Sequence, residues 1–158
     1  MEIVRPLDNN DIDSTLLEKI QFFKGPLAVI PSSVKTMSYH PKIADAFTNL
    51  NIAVMECKGA VTPEFKRLIG YISSFSSGCL YCQAHTILGA ERFGSSKKRL
   101  EEVWNYSNSS VFSNAEKAAL EFAFAAASVP NKVTGKVVSQ LKSHWNDSDI
   151  VEIMSVIA

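Results

Sequence analysis

Apolar residues return every three or four positions along most of the chain, and strict apolar–polar alternation never extends beyond a few positions. That period predicts helices from end to end and an all-α fold. Residues 14–23 form the first predicted helix, closed by Gly25 and Pro26, and residues 24–33 are expected to be a loop. Pro41 suits the first turn of a helix reaching Met55, with Ile43, Ala46, Phe47 and Leu50 at helical spacing. Thr62 before Pro63 offers a capping oxygen and then a residue whose missing N–H costs nothing at that place. Phe65, Leu68, Ile69, Ile72 and Phe75 follow as one apolar stripe. Ser76, Ser77 and Gly78 break this helix, and another is predicted over residues 79–93, ended by Gly94.

A further helix is predicted over residues 96–106, with Leu100, Val103 and Trp104 turned inward. Ser113 and Glu116 have the spacing of a capping box, opening a helix that stops before Pro130. Its run 122–127 belongs to the core or to a subunit interface. Residues 136–145 make a shorter helix, where His144 sits as a favourable cation near the negative end of the dipole. Asp147 is expected to cap the last helix, whose run Ile150, Val151, Ile153, Met154 and Ile157 is still in progress at Ala158, so that it reads as cut short. No repeat or linker divides the sequence, and a single domain over residues 1–158 is expected.

Charge narrows the function. Sixteen basic residues balance sixteen acidic ones, which gives no pull toward nucleic acid or anionic lipid. The first ten residues lack the apolar stretch of a secretory signal, and no window is apolar enough to span a bilayer. A soluble, cytoplasmic protein is expected, with neither nucleic acid nor membrane as partner. Cys57, Cys79 and Cys82 are too few and too unevenly spaced for a secreted disulfide framework.

The closest chemistry lies at Cys79-Leu80-Tyr81-Cys82. Two thiols three residues apart in the first turn of a helix share a face, and unpaired backbone N–H groups with the positive dipole end favour thiolate there. Once one sulfur is oxidised, the other can resolve it into an internal disulfide. His85, three residues beyond Cys82, is placed to approach that sulfur as a base. Peroxide attack is therefore assigned to Cys82, proton acceptance to His85, and resolution or proton donation to Cys79. Such a centre needs no metal or organic cofactor. Two bland readings stand beside it: the cysteines as packed core residues, or a zinc site in which Cys57, His40 or His144 adds a fourth ligand, although no second close ligand pair exists. Haem attachment fails because Gln83, not histidine, follows Cys82. Cys57 alone reads as an incidental thiol.

Residues 27–91 resemble the alkylhydroperoxidase D and carboxymuconolactone decarboxylase family. The resemblance is carried by Ile30-Pro31, His40-Pro41, Val61-Thr62-Pro63-Glu64-Phe65 and, most specifically, Ser77-Gly78-Cys79-Leu80-Tyr81-Cys82-Gln83-Ala84-His85-Thr86. It implies an AhpD-like helical bundle, commonly a trimer or hexamer. The implied activity is that of a peroxidase or disulfide reductase acting on a small hydroperoxide or disulfide and restored by a thiol or redox-protein donor. The decarboxylase branch typically lacks the dithiol.

Two positions depart from the family pattern. The relay glutamate expected twelve residues before the first cysteine is here Arg67, and the histidine expected four residues after the second is here Thr86. A rewired relay follows as an expectation, in which Arg67 favours thiolate and Glu64 or Tyr81 moves protons. An exposed Glu64–Arg67 helix pair is the alternative. At the level of function, the rivals are a non-redox enzyme of the lactone decarboxylase type, a zinc-stabilised interaction module, and an electrophile sensor.

Overall fold

The computed structural model describes residues 3–56 and 58–158. Cys57, read above as an incidental thiol or a zinc ligand, lies outside the described residues. Contacts divide the chain into two compact units, residues 1–56 and 57–158. Among the described residues all regular structure is helical, and no helix is long and apolar enough to cross a membrane.

In the first unit, α1 (Ser14–Ile20) begins under Asp13, whose carboxylate accepts the N–H groups of Thr15 and Leu16 at 3.0 and 3.1 Å. After a 3₁₀ turn over Gln21–Phe23 come α2 (Lys24–Leu27), α3 (Ser32–Met37) and α4 (Pro41–Met55). The loop expected over residues 24–33 is thus partly helical. Pro26 falls in the opening turn of α2, where its N–H would have no intrahelical acceptor, so it does not break the turn. Ala28 ends that turn with φ 63°, a left-handed position filled without glycine. Ile12, Leu16, Ile20, Phe23, Ile30, Val34 and Ala44 form the core. The face that α4 buries carries Ala44 and Thr48, so Ile43, Phe47 and Leu50 point outward.

The second unit is organised on an α5–α6 hairpin, α5 covering Pro63–Ser76 and α6 Leu80–Arg92. Thr62 Oγ1 accepts the N–H of Phe65 at 3.2 Å, the cap its sequence position predicts. The remaining helices are α7 (Lys97–Glu102), α8 (Asn114–Ala127), α9 (Gly135–Lys142) and α10 (Asp147–Ile157). α8 packs on α5, α9 on α8, and α10 on both α5 and α8. Val61, Phe65, Leu68, Ile69, Ile72, Leu120, Leu141 and Ile153 meet in the core. Phe65 also stacks on Trp145 with ring centroids 6.2 Å apart.

Several local expectations need correction. Phe75 and Trp104, read as inward, are 48% and 64% exposed. In the last turn of α5 it is Ser76, hydrogen-bonded to the carbonyl of Phe124 at 2.7 Å, that faces α8 in place of Phe75, and Trp104 belongs to a 3₁₀ turn, Val103–Asn105, whose tighter period rotates it off the buried face. The last helix is capped by Asn146, not Asp147, in a reciprocal capping box with Asp149. Cys79 is the capping residue of α6 instead of its first helical residue.

Candidate dithiol site

α5 ends at Ser76, and Gly78, at φ 73°, turns the chain back so that α6 can start antiparallel to it. A residue with Cβ is strained at that φ, which is why glycine serves there. The carbonyl of Ser74 receives the N–H of Cys79 at 2.9 Å and the side-chain amide of Gln83 at 3.4 Å. The opening of α6 is thereby fixed to the closing turn of α5. Cys79 sits at the cap with extended backbone, and Cys82 lies one turn further on, 5.4 Å away between Cα atoms, with the two sulfurs joined as a disulfide.

The cap has an unusual acceptor. Where serine or aspartate would offer oxygen, Cys79 offers Sγ, which takes the N–H of Cys82 at 3.3 Å. That amide, with the dipole of the thirteen-residue α6 behind it, favours negative charge on Cys79 when the bond is reduced. Both cysteines are half-buried, while Leu80 is 79% and Tyr81 48% exposed. The dithiol therefore sits at an apolar surface with solvent within reach. Two hollows of the protein, about 450 and 560 Å³, are lined by other residues, Asp13 to Asp45 in the first unit and Tyr106 to His144 in the second.

His85 is turned back along its helix. Its Nδ1 lies 2.8 Å from the carbonyl oxygen of Tyr81, and its ring lies 4.2 Å from the Tyr81 ring, tilted by 48°. Among the described residues no hydrogen bond joins His85 to either sulfur. The approach to Cys82 expected from helical spacing is replaced by a Tyr81–His85 stack beside the dithiol. Thr86, where the family histidine was expected, donates its hydroxyl to the carbonyl of Cys82 at 2.8 Å and packs its methyl over Gly70.

The structure draws Glu64 and Arg67 to the other end of the hairpin. Gly89, against which Arg67 packs, lies seven residues beyond Cys82, about 10 Å along the helix at 1.5 Å per residue. Glu64 is held by Arg99 Nε at 3.1 Å and by the Ser95 hydroxyl at 2.6 Å. Arg99 also binds Glu116 at 2.6 Å and the carbonyl of Val111 at 3.1 Å, and lies over the Phe112 ring. Neither the exposed Glu64–Arg67 pair nor a cluster of these two with the sulfurs forms: Glu64 is half-buried and Arg67 is 4% exposed. Sequence reasoning missed Arg99, since it is one of three consecutive cations, Lys97, Lys98 and Arg99, and nothing local singles it out. Among the described residues no group of three or more His, Cys, Asp and Glu side chains is placed to hold a metal ion.

Residues 41–125 match the model of the carboxymuconolactone decarboxylase family. No protein of curated function matches in sequence. Among solved structures, the debrominase Bmp8 aligns at 27% identity and a TM-score of 0.94 over 99% of this chain and 83% of its own, both without ligand and as a cysteine-to-alanine variant in complex with 2,3,4-tribromopyrrole. A peroxidase-related protein with an alkylhydroperoxidase AhpD core, from Ralstonia eutropha JMP134, aligns at 18% identity and a TM-score of 0.82 over 98% of this chain and 82% of its own. A second peroxidase-related protein, from Silicibacter sp. TM1040, aligns at 18% identity and a TM-score of 0.80 over 99% and 84%. At that identity the last two establish the AhpD-like fold alone.

Proposed function

The chain belongs to the carboxymuconolactone decarboxylase family, and we propose that within it the chain is a thiol-dependent two-electron reductase whose working centre is Cys79 and Cys82. The observation that supports this most is the bond between those sulfurs at a helix cap, with Cys79 Sγ accepting the Cys82 amide and both half-buried beside an apolar surface. Such a pair cycles between dithiol and disulfide without a metal or organic cofactor.

With a hydroperoxide the balance is ROOH plus dithiol giving ROH, water and disulfide. Cys82 thiolate attacks the terminal oxygen, the O–O bond breaks, and the leaving alkoxide takes a proton. The resulting Cys82 sulfenic acid is attacked by Cys79 thiolate, water leaves, and the S–S bond closes. Cys79, stabilised by the helix amide, needs no base to resolve. Cys82 does, and because His85 is hydrogen-bonded to neither sulfur and its Nδ1 is engaged by Tyr81, its Nε2 accepts that proton through one intervening water. A small thiol or redox protein returns the two electrons. The cell compartment is the reducing cytoplasm, and the assembly is a homo-oligomer in which exposed apolar residues such as Ile43 and Leu50 find cover.

Consumption of cumene hydroperoxide with dithiothreitol tests this reading. Wild type turns over, Cys82→Ser is inactive, and Cys79→Ser, oxidised with one equivalent of peroxide before dithiothreitol is added, stops at the sulfenic acid. Equal rates in all three would end it. A second reading is favoured by the likeness to Bmp8 over nearly the whole chain: the same two electrons reduce a brominated heteroaromatic, ArBr plus dithiol giving ArH, bromide, a proton and disulfide. Bromide release from 2,3,4-tribromopyrrole under the same conditions decides between substrates.

A further inference from the structure

A buried arginine ordinarily faces a carboxylate, because taking a charge out of water is costly unless an opposite charge compensates it. Arg67 has none among the described residues. It is 4% exposed, its nearest acidic neighbour on α5, Glu64, is bound by Arg99 and Ser95, and burial holds its pKa down at about 10. One face of the guanidinium is covered by Phe93, with the central carbon 3.6 Å from the ring centroid. One edge is used by Nη1, which donates to the carbonyl of Pro63 at 2.6 Å.

The other edge, Nε and Nη2, has no acceptor among the described residues. It is not sealed either, since the only buried side-chain polar atom lacking a hydrogen bond among the described residues is Glu152 Oε1. Nε and Nη2 therefore keep a residual contact with solvent. Gly89 lies against the arginine: a Cβ there would stand 3.3 Å from Nε and 3.1 Å from Cδ, so glycine is what lets the side chain pack this close to α6. Phe93, which stacks on the guanidinium, is 42% exposed. Two parallel N–H groups on a guanidinium fit the two oxygens of a carboxylate.

We propose that the Nε–Nη2 edge of Arg67, between Gly89 and Phe93, is a binding site for a carboxylate-bearing ligand. The site lies about 10 Å along α6 from Cys82 by helical rise. A carboxylate on the far end of an extended substrate can occupy it while the reacting group meets the dithiol, and so can a free small carboxylate. The first case rests on the two-electron reductase reading above; the binding itself does not.

The test uses the full chain. Its melting temperature is followed at constant ionic strength while sodium chloride is exchanged for sodium benzoate. Wild type should show a saturable rise. Arg67→Met should show none, and Arg67→Lys, which keeps the charge and loses the fork, should bind roughly tenfold more weakly. Gly89→Ala keeps the guanidinium but presses a Cβ against its Nε and Cδ and should also weaken binding, which keeps the test open if Arg67→Met fails to fold.

Kinetics with linoleic acid hydroperoxide and its methyl ester then identify the source. A lower KM for the acid, lost in Arg67→Lys, assigns the carboxylate to the substrate. Equal KM values with saturable benzoate binding assign it to a separate small acid. Absence of turnover on both peroxides counts against the reductase reading and leaves the benzoate result standing. A flat benzoate titration in wild type, or an equal rise in Arg67→Met, overturns the site.

Discussion

The Nδ1 atom of His85 lies 2.8 Å from the carbonyl oxygen of Tyr81, and a carbonyl only accepts. Nδ1 therefore carries the proton, and in the neutral imidazole Nε2 is left as the acceptor. His85→Asn removes that acceptor while keeping a short polar side chain that can still donate to the same carbonyl. The expected outcome is a rate of Cys82 oxidation lower by roughly 10²-fold, the ordinary contribution of a positioned base. The loss should shrink as pH rises and hydroxide does the base's work. Stopped-flow oxidation across pH measures it, and a profile identical to wild type would remove His85 from the mechanism.

The two sulfurs should differ when reduced. Cys79 Sγ is the acceptor for the Cys82 amide, so a thiolate on Cys79 is stabilised by a backbone donor that Cys82 does not itself enjoy. In Cys82→Ser the alkylation of Cys79 by iodoacetamide should show a midpoint below the ordinary cysteine value near 8.5. In Cys79→Ser the serine oxygen takes over the cap, the helix start survives, and Cys82 alkylation should have the higher midpoint. Coincident midpoints would mean that the cap does not discriminate between them.

Much of this was legible in the chain. Pro41, Thr62-Pro63 and the Ser113–Glu116 box fix three helix starts because each removes or satisfies an orphan N–H locally, without help from distant residues. The dithiol was legible for the same reason, since three-residue spacing at a glycine turn decides its geometry. What was not legible depends on partners far away in sequence. Glu64 could be placed on a helix but not paired, because Arg99 lies thirty-five residues on. Ile43 and Phe47 have core-like spacing on α4, yet only packing against α1 decides that Ala44 and Thr48 are the buried side. His85 obeys helical spacing toward Cys82 and is turned away by its contact with Tyr81, a choice of rotamer that spacing does not encode.

Arg99 gathers Glu64 and Glu116 from two different helices, with its own side chain 19% exposed and theirs 15% and 22%. Replacing it by methionine leaves two mostly buried carboxylates without their cation, and the expected loss of stability is about 3 kcal/mol. Acid should act through the same group. Burial alone would raise the Glu116 pKa, but the Arg99 hydrogen bond and the Ser113 backbone outweigh it and hold the carboxyl below its ordinary value. Because the folded pKa is depressed, this contribution is complete above the unfolded carboxylate pKa and disappears as pH falls through the folded one. Urea unfolding at neutral and acidic pH should show wild type losing more stability on acidification than Arg99→Met. Parallel losses would assign the acid sensitivity elsewhere.

Arg67 presents the opposite sign. Its pKa is lowered to about 10 by burial, so the folded state resists the charge that the unfolded chain carries freely. The penalty is complete at neutral pH and is relieved as pH rises from about 10 toward the unfolded value of an arginine side chain, near 12.5. Arg67→Met keeps apolar contact with Phe93 and Gly89 and removes the buried charge, at the cost of the Pro63 hydrogen bond. The balance favours the variant by on the order of 1 kcal/mol at neutral pH, since well-packed apolar replacements of uncompensated buried charges stabilise. A higher midpoint in urea for Arg67→Met, together with loss of benzoate binding, would mark a residue kept against stability for what it holds. A variant destabilised by several kcal/mol would instead make the Phe93 stack and the Pro63 bond a structural clamp.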